Sequence, residues 1–106
     1  MNYCEMMCNM TGYRMQTTFW DDFTIADKFG ESGIYDTYKR AFNEWKSEYK
    51  YLTELVMVLN WKCWEHYENN NTQLSKIYGE LFYKARDYAW DNLKDSELSY
   101  FSNTID

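Results

Sequence analysis

His66 is the single histidine of the chain, and it lies between Glu65 and Glu68 near the end of an apolar run from Tyr51 to Tyr67. An imidazole beside carboxylates is an arrangement that general acid–base chemistry uses. Here it has no companions: there is no HExxH, no second histidine, and no Ser or Cys nucleophile with an identifiable base. The expected role of His66 is therefore that of a satisfied structural or surface residue. Cys4 and Cys8 would lie one turn apart on a helix, but a zinc site needs further ligands and none is near them in sequence. Cys63 falls within the apolar run, where a free thiol behaves as a small hydrophobe. The segment Gly30-Glu-Ser-Gly33 has neither the spacing of a phosphate-binding loop nor that of a nucleophile elbow, which leaves it a turn and cap. The sequence predicts no catalytic residue, no metal ligand set and no cofactor.

The chemistry that remains is recognition. In the stretch from 73 to about 94, Glu80, Tyr83, Asp87, Trp90 and Asp91 share the side opposite an apolar stripe. Large rings beside carboxylates suit a protein partner, since Tyr and Trp give much contact area and a polar tip. Asp87 and Asp91 would lie one turn apart, roughly 5 to 6 Å between Cβ atoms. That is comparable with the separation of phosphates on a nucleic-acid strand, so mimicry of nucleic acid is one use for the face. Lys76, Lys84 and Arg86 dilute the acid, and a solvated charged face is the plainer reading. A second candidate face is Met57, Trp61 and Trp64, which form a stripe roughly opposite Leu52, Leu55, Val56, Leu59, Cys63 and Tyr67. A helix apolar on two sides is usually central, so both stripes are expected in the core. Were the second stripe exposed, it would bury itself between copies of the chain.

These faces require helices to position them. The run from about 48 to 68 is expected to be the central helix of an all-α bundle of four or five helices. One neighbour runs from about 33 to 46, with Ile34, Tyr38, Ala41, Phe42 and Trp45 on one side and Ser32 as its cap. No Pro or Gly separates it from the central helix. A continuous helix from 33 to 68 would nevertheless span about 54 Å, too long for so small a domain, and this predicts a break at 46–49. Asn69-Asn-Asn71 is a strong stop, with Thr72 available to cap the next helix. The helix from 73 to about 94 carries Leu74, Ile77, Tyr78, Leu81, Ala85, Tyr88 and Ala89 inward, and Gly79 suggests a close helix crossing. Asp95 or Ser96 caps a short last helix with Leu98 and Phe101 turned inward, and the final residues, from Ser102, are expected to fray. Upstream, residues 16–23 read as an extended segment whose Phe19, Trp20 and Phe23 tuck against helices. Thr24 then caps a short helix ended by Gly30. Residues 1–14 show no periodicity and are expected to be a loosely ordered extension, with 15–106 a single helical domain and Met15 a candidate start.

Composition bounds the partners. The chain has 106 residues, enough for one domain with its own core. Its net charge of −6 argues against direct nucleic-acid binding, which needs clustered Lys and Arg. With 11 Tyr and 5 Trp among 21% aromatic residues, there are more amphipathic rings than a core of this size needs. Three cysteines do not make a disulfide framework and fit a reducing cytoplasm. No apolar run approaches the ~20 residues of a membrane span.

The segments TTFWDDFTIADKFG, YKRAFNEW, YLTELVMVLNWKCWEHYE and the closing LSYFSNTID resemble a family of small uncharacterised proteins carried on conjugative elements and prophages of gut-dwelling gram-positive bacteria. The resemblance covers roughly residues 15–106 and brings no catalytic motif with it. It implies a non-enzymatic binding protein of a mobile element. By analogy with anti-restriction and anti-CRISPR proteins, this would be an inhibitor that blocks a basic nucleic-acid-binding surface of a host nuclease or its ribonucleoprotein. The alternative it implies is an oligomeric structural or regulatory accessory factor of the same element.

Overall fold

In the computed structural model, residues 17–105 are described, and they form five helices with no strand among them. These are α1 (Phe19–Asp27), α2 (Gly30–Trp45), α3 (Tyr49–Glu68), α4 (Thr72–Asn92) and α5 (Ser96–Ile105). The fold is all-α, with α3 at its centre: α3 packs against each of the other four helices, most extensively against α4. The extension expected at residues 1–14 lies outside the described residues.

The double stripe of α3 explains its position. Leu52, Leu55, Val56 and Leu59 are buried on one side, Met57 and Trp61 on the other, and Val58 between them. Met57 and Trp61 are only 5% and 3% exposed, so they belong to the core of this chain. Only Trp64 of the second candidate face reaches solvent. Tyr67, expected inward, is exposed and meets the exposed Trp64 edge-on at 5.7 Å, and Cys63 is half-buried.

The breaks arise from short-range chemistry. Lys46 to Glu48 turn the chain between α2 and α3, with the Glu48 amide donating to the Trp45 carbonyl and Glu48 itself extended. At the end of α3, Asn70 takes a left-handed φ of 62°, its amide donates to Tyr67, and the Asn71 amide donates to His66. That is the Schellman pattern with Asn in the position usually held by glycine. The same Asn71 caps α4, its side chain accepting from the Leu74 amide, so the cap is Asn71 and not Thr72. Asp95 supplies the carbonyl that accepts from Ser99 at the start of α5. Phe101 is fully buried, and helix persists through Ile105 where fraying was expected.

The largest departure lies in α1. Residues 19–23, expected to be extended, are helical: Phe19, Phe23 and Ala26 recur at i, i+4 and i+7 and are buried together, while Asp21 and Asp22 suit the positive end of the helix dipole. Thr24 is therefore interior to the helix, and its hydroxyl donates to the Trp20 carbonyl. The helix ends where Phe29 and Lys28 amides bond back to Ala26 and Ile25, and Gly30, at φ 73°, turns the chain into α2. Ser32 lies in the first turn of α2 and makes no cap bond; Phe29 holds the cap position. The corner is tight. A Cβ at Gly33 would stand 2.6 Å from the Phe29 Cβ and 3.0 Å from the Ala26 carbonyl oxygen, neither of which can swing away. Gly79 is less constrained than its place in α4 suggests, since a Cβ there would meet the Cys63 Sγ at an ordinary 3.5 Å.

Candidate functional site

The apolar stripe of α4 is buried against α3 through Ile77, Tyr78, Leu81, Ala85 and Ala89, and this fixes which side of the helix faces out. Glu80, Tyr83, Asp87, Trp90 and Asp91 are all exposed, Tyr83 by 54% and Trp90 by 45%. The five residues are thus brought onto one outer face. They are not equally available. Glu80 stands beside Tyr35 of α2, and partial burial together with the Glu80 and Glu31 carboxylates raises the Tyr35 pKa. The Arg86 guanidinium lies 4.7 Å from the centre of the Tyr83 ring and 3.8 Å from the Asp87 carboxylate. Trp90 rests edge-on against Phe101 of α5 at 6.0 Å. Lys76 and Lys84 are exposed on the same helix, so the face mixes both signs of charge.

A second constellation sits inside the fold. Lys62, near the middle of α3, has no exposed surface. Its ammonium lies 2.7 Å from Asp27 Oδ2, 3.1 Å from Glu65 Oε1 and 3.3 Å from the Thr24 hydroxyl, so each of its three hydrogens has an acceptor. The Trp20 ring covers it at 4.7 Å, a cation–π contact made away from bulk water. Asp27 is the hub. Its Oδ2 also lies 3.0 Å from His66 Nε2, and its Oδ1 accepts from the Tyr78 hydroxyl, which stands 3.2 Å from the Phe23 carbonyl. Burial works against the Asp27 charge, but the bonds from His66, Lys62 and Tyr78 outweigh it and hold the pKa below the ordinary 3.8. A carboxylate can only accept, so His66 carries a proton on Nε2. The His66 ring stacks on Tyr78 at 5.5 Å. Burial, followed by the Asp27 hydrogen bond and charge, pushes the Tyr78 pKa upward.

Asp27, Glu65 and His66 hold ligand-type atoms within 4.8 Å of one another, which is the reach of a divalent cation. The place of that cation is taken, because the Lys62 ammonium bonds two of the three groups. The open groove between α1 and α2, about 580 Å³, is lined by none of Lys62, Glu65, His66 or Tyr78. The arrangement ties α1 to α3 and α4 by buried charge and hydrogen bonds. Of the two places expected for His66, structural or surface, it takes the buried one, bonded to Asp27 and stacked on Tyr78.

Asp27 and Lys62 were not singled out by sequence reasoning. A signal existed for Lys62: with Leu55, Val58, Leu59 and His66 it continues the three- and four-residue spacing of a buried side of α3. A lysine in phase with core residues calls for a buried acid. Nothing in the sequence says which of the 17 carboxylates supplies it. No described helix is long and apolar enough to cross a membrane. Comparison with known protein families, with curated proteins and with solved structures finds no match to this chain.

Proposed function

We propose that this chain is a non-enzymatic cytoplasmic binding protein that presents the outer face of α4 to a basic surface of a protein partner. Its role is that of an anti-defence, anti-CRISPR-like inhibitor covering the nucleic-acid-binding surface of a host nuclease or its ribonucleoprotein. What carries this reading is the exposure of Tyr83 and Trp90, 54% and 45%, with Asp87 and Asp91 beside them on a helix whose other side is core. The rings supply contact area, and the carboxylates pair with Lys and Arg of the target. Arg86, against Tyr83 and Asp87, must turn outward or remain as part of the contact.

The rival reading, a homo-oligomeric accessory factor, draws no support from the stripe that suggested it, because Met57 and Trp61 are enclosed within one copy. The test is the double change Asp87→Lys with Asp91→Lys, both at exposed positions where folding is little affected. In a host with active nuclease defence, the wild-type chain should raise the survival of incoming plasmid. The double variant should lose about tenfold or more of that protection, and capture of the target should weaken with salt. Equal protection by both proteins would remove the α4 face from the mechanism, and no protection by either would remove the inhibitor role.

A further inference from the structure

Two of the most exposed large apolar residues, Ile25 at 55% and Phe29 at 70%, lie on neither the outer face of α4 nor the double stripe of α3. They stand at the lip of the groove between α1 and α2. Phe19, Ala26 and Ala41 form its floor and Trp45 closes one end. Its rim carries Asp22, Asp36 and Glu44 against the single guanidinium of Arg40. Along α2 the lining runs from Ser32 to Trp45, thirteen residue steps or about 20 Å, which is the length of between three and four helical turns.

We infer that this groove receives a cationic amphipathic helix from a partner protein. A trough of that length, with an apolar floor and a polar rim of comparable extent and open along its side, matches the mode in which an amphipathic helix lays residues spaced i, i+3 or i+4, and i+7 into a groove. Ile25 and Phe29 close over such anchors and lose the water they now meet. The three rim carboxylates then face the flanks of the incoming helix. Lys or Arg at those flanks satisfies them, whereas an anionic segment is repelled and an uncharged one leaves them poorly solvated. The surface belongs to α1 and α2 and does not depend on the role given to α4.

The test uses the full chain and a labelled 18-residue peptide of Leu and Lys, with Leu at the i, i+3, i+4, i+7 spacing, followed by fluorescence anisotropy. Saturable binding that weakens with salt is expected, and Phe29→Glu should weaken it at least about tenfold. The sign separates the groove from general attraction to an acidic protein, because Phe29→Glu adds negative charge and would tighten a merely electrostatic association. Ile25→Glu, also at an exposed position, gives the same readout independently, with circular dichroism confirming that both variants are folded. Asp87→Lys with Asp91→Lys should leave the peptide affinity unchanged. The inference is overturned by failure to bind, by equal binding of the peptide with Glu in place of Lys, or by binding that Phe29→Glu leaves intact. Self-association abolished by Phe29→Glu would also overturn it, giving the groove to a second copy of the chain.

Discussion

Replacing Asp27 by alanine should lower the unfolding free energy by about 3 to 5 kcal/mol, the loss expected when one partner of a buried ion pair is removed. Lys62 would keep its charge inside the protein with only Glu65 and Thr24 to meet it, and the hydrogen bonds from His66 and Tyr78 would lose their acceptor. Urea denaturation followed by far-ultraviolet circular dichroism reads this directly. A change below about 1 kcal/mol would mean that the Asp27 contacts are not maintained in solution. Replacing both members of the pair, as in Asp27→Leu with Lys62→Met, should recover the part of the loss that comes from the unpaired Lys62 charge, while His66 and Tyr78 still lack their acceptor.

The acid side of the stability profile gives an independent check. Asp27 is held below the ordinary 3.8 in the folded chain, so its ionised form contributes stability that is fully present above that value. As the pH falls through 3.8, the unfolded chain takes up a proton that the folded chain still refuses. The advantage of the wild-type chain over Asp27→Asn should therefore shrink as the pH drops through and below 3.8, and stay undiminished just above it. An advantage that instead grew on acidification would contradict the lowered pKa.

Phe23→Ala should cost a similar amount, about 3 to 5 kcal/mol, through lost transfer energy and the cavity left behind. Phe23 has no exposed surface, and its ring meets Tyr78 edge-on at 5.7 Å, with the Tyr78 hydroxyl beside its carbonyl. Truncation would empty the contact between α1 and α4 and loosen the group that donates to Asp27. The control is Phe29→Ala on the same side of the corner, where the ring is mostly in water and the change should stay within about 0.5 kcal/mol. Comparable destabilisation by the two truncations would show that α1 does not dock through Phe23.

The long helices were legible because each offers several apolar residues in phase. Ile34, Tyr38 and Ala41, or Ile77, Leu81, Ala85 and Ala89, mark a buried side whatever the rest of the chain does. The turn at 46–48 was legible by length alone. Only the second half of nine-residue α1, from Thr24, was legible as helix, since three aromatic residues in the first half read equally well as separate anchors, and the i, i+4, i+7 spacing has only one repeat to declare itself. Thr24, Ser32 and Thr72 were each credible caps, but capping depends on backbone angles that composition leaves open. The exposed residues of α4 could be assigned to one side from its stripe. The contacts that engage Glu80 with Tyr35 and Tyr83 with Arg86 could not, because they depend on how neighbouring side chains settle. Lys62 was hidden by its type: a lysine inside an apolar run suggests a side chain reaching for solvent, and its partner is 35 positions away in the sequence.

The bonds at Asp27 join residues 39 and 51 positions apart, whereas α3 and α4 are linked by a turn of three residues. Contacts between α3 and α4 close a short loop, and those of α1 close a long one at greater entropic cost. The hairpin of α3 and α4 is therefore expected to form first, with α1 docking after the rate-limiting barrier is crossed. Asp27→Asn should then speed unfolding while leaving the refolding limb of a stopped-flow chevron nearly unmoved. A slowed refolding limb would place α1 in the nucleus instead. With the late-docking order, α1 and the groove it forms with α2 are the part of the molecule that opens first, without the rest having to unfold.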